Sequence, residues 1–356
     1  MFNIPKVQDA TFYIDQAIEE MQQYAQKERN EIQSRWSAVK TEKQKRRSSE
    51  DINLEKRKDL ELQKVRFLNE KCNDQLRKLA KTFPNFAKVD EIYIKLINTS
   101  TTPVPKIKDA LGRVFWITDS IDEFSQNTIQ KLKKAKTNQT IGFIMKKYLG
   151  KVNSLFKKNK SFFDLLQEST KFMNKLPEFA DLYTITIAGF PNVGKSTLMK
   201  NMTGSNVEIQ NYSFTTKGLM FGYISDLGKN SIQLIDTPGL LGREKNNSIE
   251  QRAQIVISEH CNQIVFVLDV TQSCGFNVEQ QIKLLKQTVY YNKPIVIYLS
   301  KTDIFNEEDE ENLEEIQSKI KKHKVFTKSE ELKNYLIKLS REEKKTFDPK
   351  KIKLVK

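Results

Sequence analysis

Residues 183–197 read Tyr-Thr-Ile-Thr-Ile-Ala-Gly-Phe-Pro-Asn-Val-Gly-Lys-Ser-Thr, and their order decides the fold of the second half of the chain. Tyr183–Ala188 has the length and β-branched content of a strand, and Lys195–Met202 has the spacing of a helix. Between them, Gly189-Phe190-Pro191-Asn192-Val193-Gly194-Lys195-Ser196 satisfies G-x-x-x-x-G-K-[ST], continued by Thr197. Glycines let such a loop wrap closely on phosphate oxygens, and the helix that follows aims its free N–H groups at them. Lys195 then reaches the β- and γ-phosphates of a nucleoside triphosphate, and Ser196 offers its hydroxyl to Mg²⁺. A chance match in a surface loop would lack the strand before it and the helix after it.

Working outward, short apolar runs recur at Leu219–Ile224, Ile232–Ile235, Ile264–Leu268 and Pro294–Leu299, with helical patterns at Ile249–Cys261 and Asn277–Tyr290. Strands alternating with helices predict a doubly wound α/β P-loop domain, a mostly parallel sheet with helices on both faces. Asp236-Thr237-Pro238-Gly239 closes one of these runs. An acidic residue there can hold the Mg²⁺ shell, and the Gly239 N–H can meet a γ-phosphate. Tyr212-Ser213-Phe214-Thr215-Thr216 is a polar loop from which one threonine can close over the metal. Ser300-Lys301-Thr302-Asp303 ends the run Pro294–Leu299. A carboxylate at Asp303 can accept hydrogen bonds from guanine N1–H and the 2-amino group, and adenine offers neither donor. The expected ligands are GTP and GDP with Mg²⁺, rather than ATP.

The first half has another period. Ile14, Ile18, Met21, Ala25, Ile32, Trp36 and Val39 form one apolar stripe, and Leu62, Val65, Leu68, Cys72, Leu76 and Leu79 a second. Thr41–Asp59 is almost wholly polar, a solvated helical stretch or a connection. Pro84 closes the second helix, and Thr101-Thr102-Pro103-Val104-Pro105 is expected to be a loop that no helix can continue through. Helical patterns follow around Ala110–Leu132 and Ile141–Met173. The expected domains are an α-helical bundle over 1–176, a nucleotide domain over 177–342 and a basic tail over 343–356.

Charge follows the same division. Residues 1–180 hold 35 Lys and Arg against 23 Asp and Glu, whereas 181–356 hold 25 against 22, in a chain of net charge +15. Lysines at 131, 133, 134, 136, 146, 147, 157, 158 and 160, with Lys43, Lys45, Arg46 and Arg47, decorate the helical half. Clustered cations gain free energy by displacing counterions from phosphate, so a polyanion is the natural partner, against the plain alternative of a solvated surface. Cys72, Cys261 and Cys274 are widely spaced and form neither a zinc pattern nor a disulfide framework. No apolar stretch is long enough to cross a bilayer and no signal peptide precedes the first helix, so a cytoplasmic protein with no membrane partner is expected.

With these residues in place, the chain resembles the Obg-related GTPases of the translation-factor class, and within them the Nog-type, nucleolar GTP-binding family. Residues 189–197, Tyr-Ser-Phe-Thr-Thr-Lys at 212–217, Asp-Thr-Pro-Gly-Leu-Leu at 236–241 and Ser-Ile-Glu at 248–250 resemble the wider group. Gln272-Ser273-Cys274-Gly275-Phe276 with Glu279-Gln280-Gln281, and upstream Thr82-Phe83-Pro84-Asn85 and Lys108-Asp109-Ala110-Leu111-Gly112-Arg113, resemble the Nog type in particular. The resemblance implies assembly of the large ribosomal subunit, with the bundle on ribosomal RNA. Separately, the chain is expected to be a monomer, although its residues leave the oligomeric state open. The resemblance makes Thr216 a Mg²⁺ ligand beside Ser196 and Asp236, and gives Lys195, Thr216 and Gly239 the catalytic roles. Gly189, Pro191, Asn192, Val193, Gly194, Thr197, Ser300, Lys301 and Asp303 complete the nucleotide contacts. Asn192 resembles an asparagine that holds K⁺ in potassium-stimulated relatives. Leu240 stands where Ras-like proteins carry a water-orienting glutamine, which implies slow intrinsic hydrolysis.

Two departures stand out. Ser300 replaces the asparagine that begins the family's guanine motif and braces the P-loop, and the last guanine-contact loop, placed near Val325-Phe326-Thr327-Lys328, has no Ser-Ala-Lys triplet. The C-terminal extension of nucleolar members has no counterpart, so a compact, archaeal-type form is expected, nucleolar only in a eukaryote. The competing functions are an Obg-like translation or stress-linked GTPase, a low-turnover GTP-binding scaffold, and an ATPase or kinase.

Overall fold

The computed structural model describes residues 2–38, 48–176, 179, 182–204, 207–210, 219–225, 231–236, 248–304 and 309–346. Thr216, Gly239, Leu240 and the basic cluster Lys43–Arg47 lie outside them, as does most of the tail assigned to 343–356. The chain divides into two compact units, residues 1–89 with 100–174, and residues 90–99 with 175–356.

The first unit is helical: α1 (Ala10–Ala38), α2 (Ser49–Thr82), α4 (Val104–Lys134), α5 (Asn138–Lys158) and α6 (Lys160–Met173). The apolar stripes face inward. Ile14, Met21, Ala25 and Ile32 of α1 and Val65, Leu68, Cys72, Leu76 and Leu79 of α2 are buried, as a 3.6-residue period requires. Helix α2 starts at Ser48, whose hydroxyl accepts from the Asp51 N–H, so half of the polar stretch is solvated helix. On the partner face, Asn69 and Asn73 both donate to Asp122 Oδ1 at 2.8 Å. Tyr148 and Ser125 share a buried hydrogen bond of 2.8 Å that joins α4 to α5.

Two sequence expectations need adjusting here. No helix runs through Thr101–Pro103, but the loop stops short of Val104 and Pro105: Pro103 is the N-cap of α4 and Pro105 sits in its first turn. Proline lacks an N–H that the first turn would leave unbonded, so it starts a helix at no cost. The pattern Ile141–Met173 is two helices, interrupted at Asn159, whose φ of −104° and ψ of 11° leave the helical region. The apolar period continues across the break, which hid it.

The second unit carries the short helix α3 (Glu91–Asn98) and a seven-stranded sheet: β1 (Tyr183–Ala188), β2 (Val207–Gln210), β3 (Leu219–Ser225), β4 (Ser231–Asp236), β5 (Gln263–Asp269), β6 (Ile295–Ser300) and β7 (Lys324–Phe326). Their order is β2-β3-β4-β1-β5-β6-β7. The β1–β4, β1–β5, β5–β6 and β6–β7 pairs are parallel, and β2–β3 and β3–β4 antiparallel. Helices α7 (Lys195–Thr203), α8 (Ser248–His260), α9 (Val278–Thr288), α10 (Glu310–Ile320) and α11 (Ser329–Thr346) complete the unit. Every residue of β1 and β5 is buried, which is why these strands read as unbroken apolar runs rather than alternating ones. The P-loop strand β1 is thereby central, with the carboxyl ends of β4 and β5 beside its own.

Candidate nucleotide-binding site

The loop leaving β1 turns on backbone geometry that few residues tolerate. Gly189 has φ +144°, Asn192 φ +62° and Gly194 φ +97°. At Gly189 a Cβ would stand 2.6 Å from the Val267 carbonyl oxygen, so this position has room for glycine alone. Val193 is buried under the loop, Pro191 and Asn192 face solvent, and Phe190 stacks on Phe276 with ring centroids 3.9 Å apart and planes 13° from parallel.

Gly194 is the N-cap of α7, so Lys195, Ser196 and Thr197 form its first turn, where backbone N–H groups have no partner within the helix. The Lys195 ammonium is buried and donates to the carbonyls of Gly189 at 3.0 Å and Phe190 at 2.6 Å. Burial pulls its pKa below the ordinary lysine value, opposed by the charge of Asp236. Asp236, at the end of β4, is almost fully buried, and burial pushes its carboxyl up, with Lys195 and Ser196 pulling the other way. Ser196 Oγ donates to Asp236 Oδ2 at 2.8 Å, while Asp236 Oδ1 is buried without a hydrogen-bond partner among the described residues. An unsatisfied buried carboxylate oxygen next to a hydroxyl, at a helix N-terminus built for phosphate, is a donor set that fits Mg²⁺. Thr216 and Gly239, expected to complete it, lie outside the described residues.

The residues expected to read the base share a cavity with this turn. About 780 Å³ of space is lined by Asn192, Gly194, Lys195, Ser196 and Thr197 on one side and by Ser300, Lys301, Thr302 and Asp303 on the other. Thr327, Lys328, Ser329 and Glu330, following β7, line it too, so the loop expected near Val325–Lys328 does border the cleft. Ser300 Oγ donates to the Leu268 carbonyl at 3.1 Å, and Asp303 is exposed.

Sequence reasoning passed over Asp269, the fully buried last residue of β5. Its Oδ1 accepts from the Thr271 N–H at 3.1 Å and the Thr271 hydroxyl at 2.8 Å; its Oδ2 accepts from the Cys274 N–H at 2.8 Å and from Lys301 Nζ at 2.7 Å. Gln281 clamps the same residue through its backbone, accepting from the Asp269 N–H at 2.8 Å and donating to its carbonyl at 3.0 Å. An acidic residue closing an apolar strand was the available signal, the same one that marks Asp236.

Residues 184–301 match the family described as 50S ribosome-binding GTPase, and residues 24–180 match the NOG1 N-terminal helical domain. An uncharacterized protein of Methanocaldococcus jannaschii is 34% identical over 258 residues, covering 72% of each chain. Nucleolar GTP-binding protein 1 of Caenorhabditis elegans is 31% identical over 251 residues, which are 69% of this chain and 37% of that protein. The chain thus spans well under half the length of the nucleolar relative it matches. A crystal structure of a Plasmodium falciparum nucleolar GTP-binding protein 1 is 29% identical, covers 48% of this chain and 94% of its own, and has a TM-score of 0.38. No described helix is long and apolar enough to cross a membrane.

Proposed function

The chain belongs to the Nog-type family of P-loop GTPases, and on that premise we propose that it is a slow GTPase acting in assembly of the large ribosomal subunit. In this reading residues 1–176 contact ribosomal RNA and residues 177–342 switch with the nucleotide. The name borne by the nucleolar relatives supports the assembly role. Within the chain it is carried by one observation, the lysines of α4, α5, α6 and the α4–α5 connection. Lys131, Lys133, Lys134, Lys136, Lys146, Lys147, Lys157, Lys158 and Lys160 are all exposed, and among the described residues only Lys160 is held in an ion pair, with Asp9. Unpaired surface ammonium groups keep their charge available for phosphate.

In the nucleotide domain, the α7 N-terminus and Lys195 take the phosphates and Asp303 selects guanine. Ser196 and Asp236 hold Mg²⁺, which supplies charge neutralisation across the phosphate oxygens when bound. Thr216 and Gly239 are assigned to the γ-phosphate end. Leu240 offers no polar group to orient water, hence a low turnover until a partner engages. Asn192 is assigned to K⁺.

The test is sedimentation with large-subunit particles in GTP and in GDP, using the full chain and a variant with Lys→Glu at 131, 133, 134, 136, 157, 158 and 160. Nucleotide-dependent co-sedimentation, lost in the variant and in high salt, is the expected result. Sedimentation indifferent to nucleotide and to the lysines would overturn the proposal. Single-turnover hydrolysis in potassium against sodium tests the Asn192 assignment.

A further inference from the structure

The loop Ser300–Asp303 has to be held at a fixed distance from the P-loop, because the base and the phosphates it selects belong to one rigid nucleotide. Ser300 is the residue nearest to doing this, lying 3.5 Å from where a Cβ on Gly194 would stand. Its hydroxyl oxygen, 3.8 Å from the same point, donates to the Leu268 carbonyl of the neighbouring strand and makes no hydrogen bond to the P-loop among the described residues. A serine side chain is too short to do both. Lys301, meanwhile, adopts φ +60°, a conformation that costs a non-glycine residue free energy and persists only where its surroundings impose it.

The Lys301 side chain is tied to Asp269. The two lie side by side at the ends of β5 and β6, where Asp269 is in register with Ser300. Lys301 Nζ reaches Asp269 Oδ2 at 2.7 Å and Ser273 Oγ at 2.7 Å. The carboxylate is fully buried and saturated by donors, so its position is determined by the strand and not by solvent. From it the contact runs on to the phosphate end. The turn 271–276 is wound around the carboxylate, Gln281 Nε2 donates to the Phe276 carbonyl at 3.0 Å, and Phe276 stacks on Phe190 of the P-loop. Asp269 does not line the nucleotide cavity, so it acts only through these neighbours.

We infer that Asp269 is a positioning residue for guanine recognition: through Lys301 on one side and the Phe276–Phe190 stack on the other it fixes Asp303 relative to the P-loop, the bracing that Ser300 cannot provide. The inference rests on the assignment of this cleft to a guanine nucleotide. Burial works against the charged carboxylate, but the hydrogen bonds from Lys301, Thr271 and Cys274 outweigh it and hold the Asp269 pKa below the ordinary value.

Inosine diphosphate makes the test specific, because hypoxanthine keeps N1–H and lacks the 2-amino group. If Asp269 positions Asp303, Asp269→Asn lowers the preference for GDP over IDP by about tenfold, with a smaller loss for IDP itself. Ser300→Asn, placed in the Asp269→Asn background, restores the preference because an asparagine can reach the P-loop. Lys301→Met breaks the same pair from its other end, and the double variant Asp269→Asn/Lys301→Met is then no worse than the weaker single one. Affinities are read by displacement of a fluorescent GDP analogue from the full chain, with thermal melting of the nucleotide-free protein alongside. Parallel loss of GDP and IDP binding in Asp269→Asn, a GDP/IDP ratio that stays within twofold of the original, or additive single variants would each overturn the inference. If Asp269→Asn does not fold, the ratio in Lys301→Met decides by the same criterion. Failure of the underlying assignment would look different, since the unaltered chain would then bind GDP and ADP equally.

Discussion

Asp236 shares one carboxylate oxygen with the Ser196 hydroxyl at 2.8 Å and keeps the other buried with no hydrogen-bond partner among the described residues. The cost of that arrangement sets a pH dependence. Burial raises the folded-state pKa of Asp236 above its unfolded value. In the metal-free protein the group therefore contributes stability below the unfolded pKa, and that contribution is lost as pH rises through the folded one. Mg²⁺ needs the ionised form and reverses the sign. We expect the stabilisation that Mg²⁺ adds to the GDP-bound protein to fade on acidification at a higher pH than an ordinary carboxylate, at about 3.9, would give. Melting curves with and without Mg²⁺ from about pH 8 to 4.5 measure it. In Asp236→Asn the Mg²⁺ increment should vanish at every pH.

Lys195 poses the complementary case. Its ammonium is buried against two carbonyls, and burial lowers its pKa, so in the absence of phosphate the charge is a cost to the fold at neutral pH. The sign follows: that cost disappears as pH rises through the lowered folded value. A triphosphate restores the charged form, so nucleotide affinity should fall as pH rises past the lowered value, before free lysine at about 10.4 would titrate. Lys195→Met should leave the nucleotide-free melting temperature equal or higher, since a buried charge is replaced by apolar volume. The same change should weaken GTP about 10- to 100-fold, the worth of a charge-assisted hydrogen bond. A melting temperature that drops sharply with nucleotide affinity intact would refute this account.

Gly189 and Gly222 separate two kinds of close approach. A Cβ on Gly189 would meet the Val267 carbonyl at 2.6 Å, which is backbone in the middle of β5, and φ +144° already disfavours a side chain. A Cβ on Gly222 would meet Met199 Cε and Thr203 Cγ2, both at 2.8 Å, which are the ends of side chains on α7. Gly189→Ala should cost about 3 kcal/mol or more and abolish nucleotide binding, whereas Gly222→Ala should cost about 1–2 kcal/mol and spare it. Urea unfolding and GDP binding of both variants check the ordering.

These contrasts also explain what the sequence made legible. The P-loop was readable because glycine spacing, Lys195 and Ser196 are a local pattern flanked by β1 and α7. The end of β4 was readable because Asp236 follows an apolar run. Asp269 ends an apolar run as well, but its partners are Lys301, 32 residues on, and Gln281, 12 residues on, and no spacing rule connects them. The strands β2 and β7 are only four and three residues long, too short for a period of two to appear. Short α3, flanked by Val89-Asp90 and Thr99-Ser100, reads like part of a connection, and its place in the second unit depends on contacts such as Lys95 with Glu259 at 2.8 Å. In the helical unit the apolar stripe crosses Asn159 without interruption, so the break between α5 and α6 is visible only in the backbone.

That break has a measurable role. Asn159 is buried at the end of α5, its Nδ2 donating to the Leu155 carbonyl at 2.7 Å and its Oδ1 accepting from Arg113 Nε at 2.8 Å. Arg113 in turn lays its guanidinium 3.8 Å from the centre of the Trp116 ring. The helix stops at Asn159 so that one amide can satisfy both a helix carbonyl and an arginine of α4, and the arginine is thereby locked over the indole. Asn159→Ala should leave the Leu155 carbonyl and the Arg113 side chain unpaired and cost about 1–3 kcal/mol. It should also release Arg113, changing the emission of Trp116, which is one of only two tryptophans in the chain. Recording that emission in a Trp36→Phe background isolates the signal. Arg113→Met should give the same emission change with a smaller loss of stability, because it removes the stack while leaving the Leu155 bond in place. If Asn159→Ala leaves Trp116 emission unaltered, the arginine is held by something other than the amide.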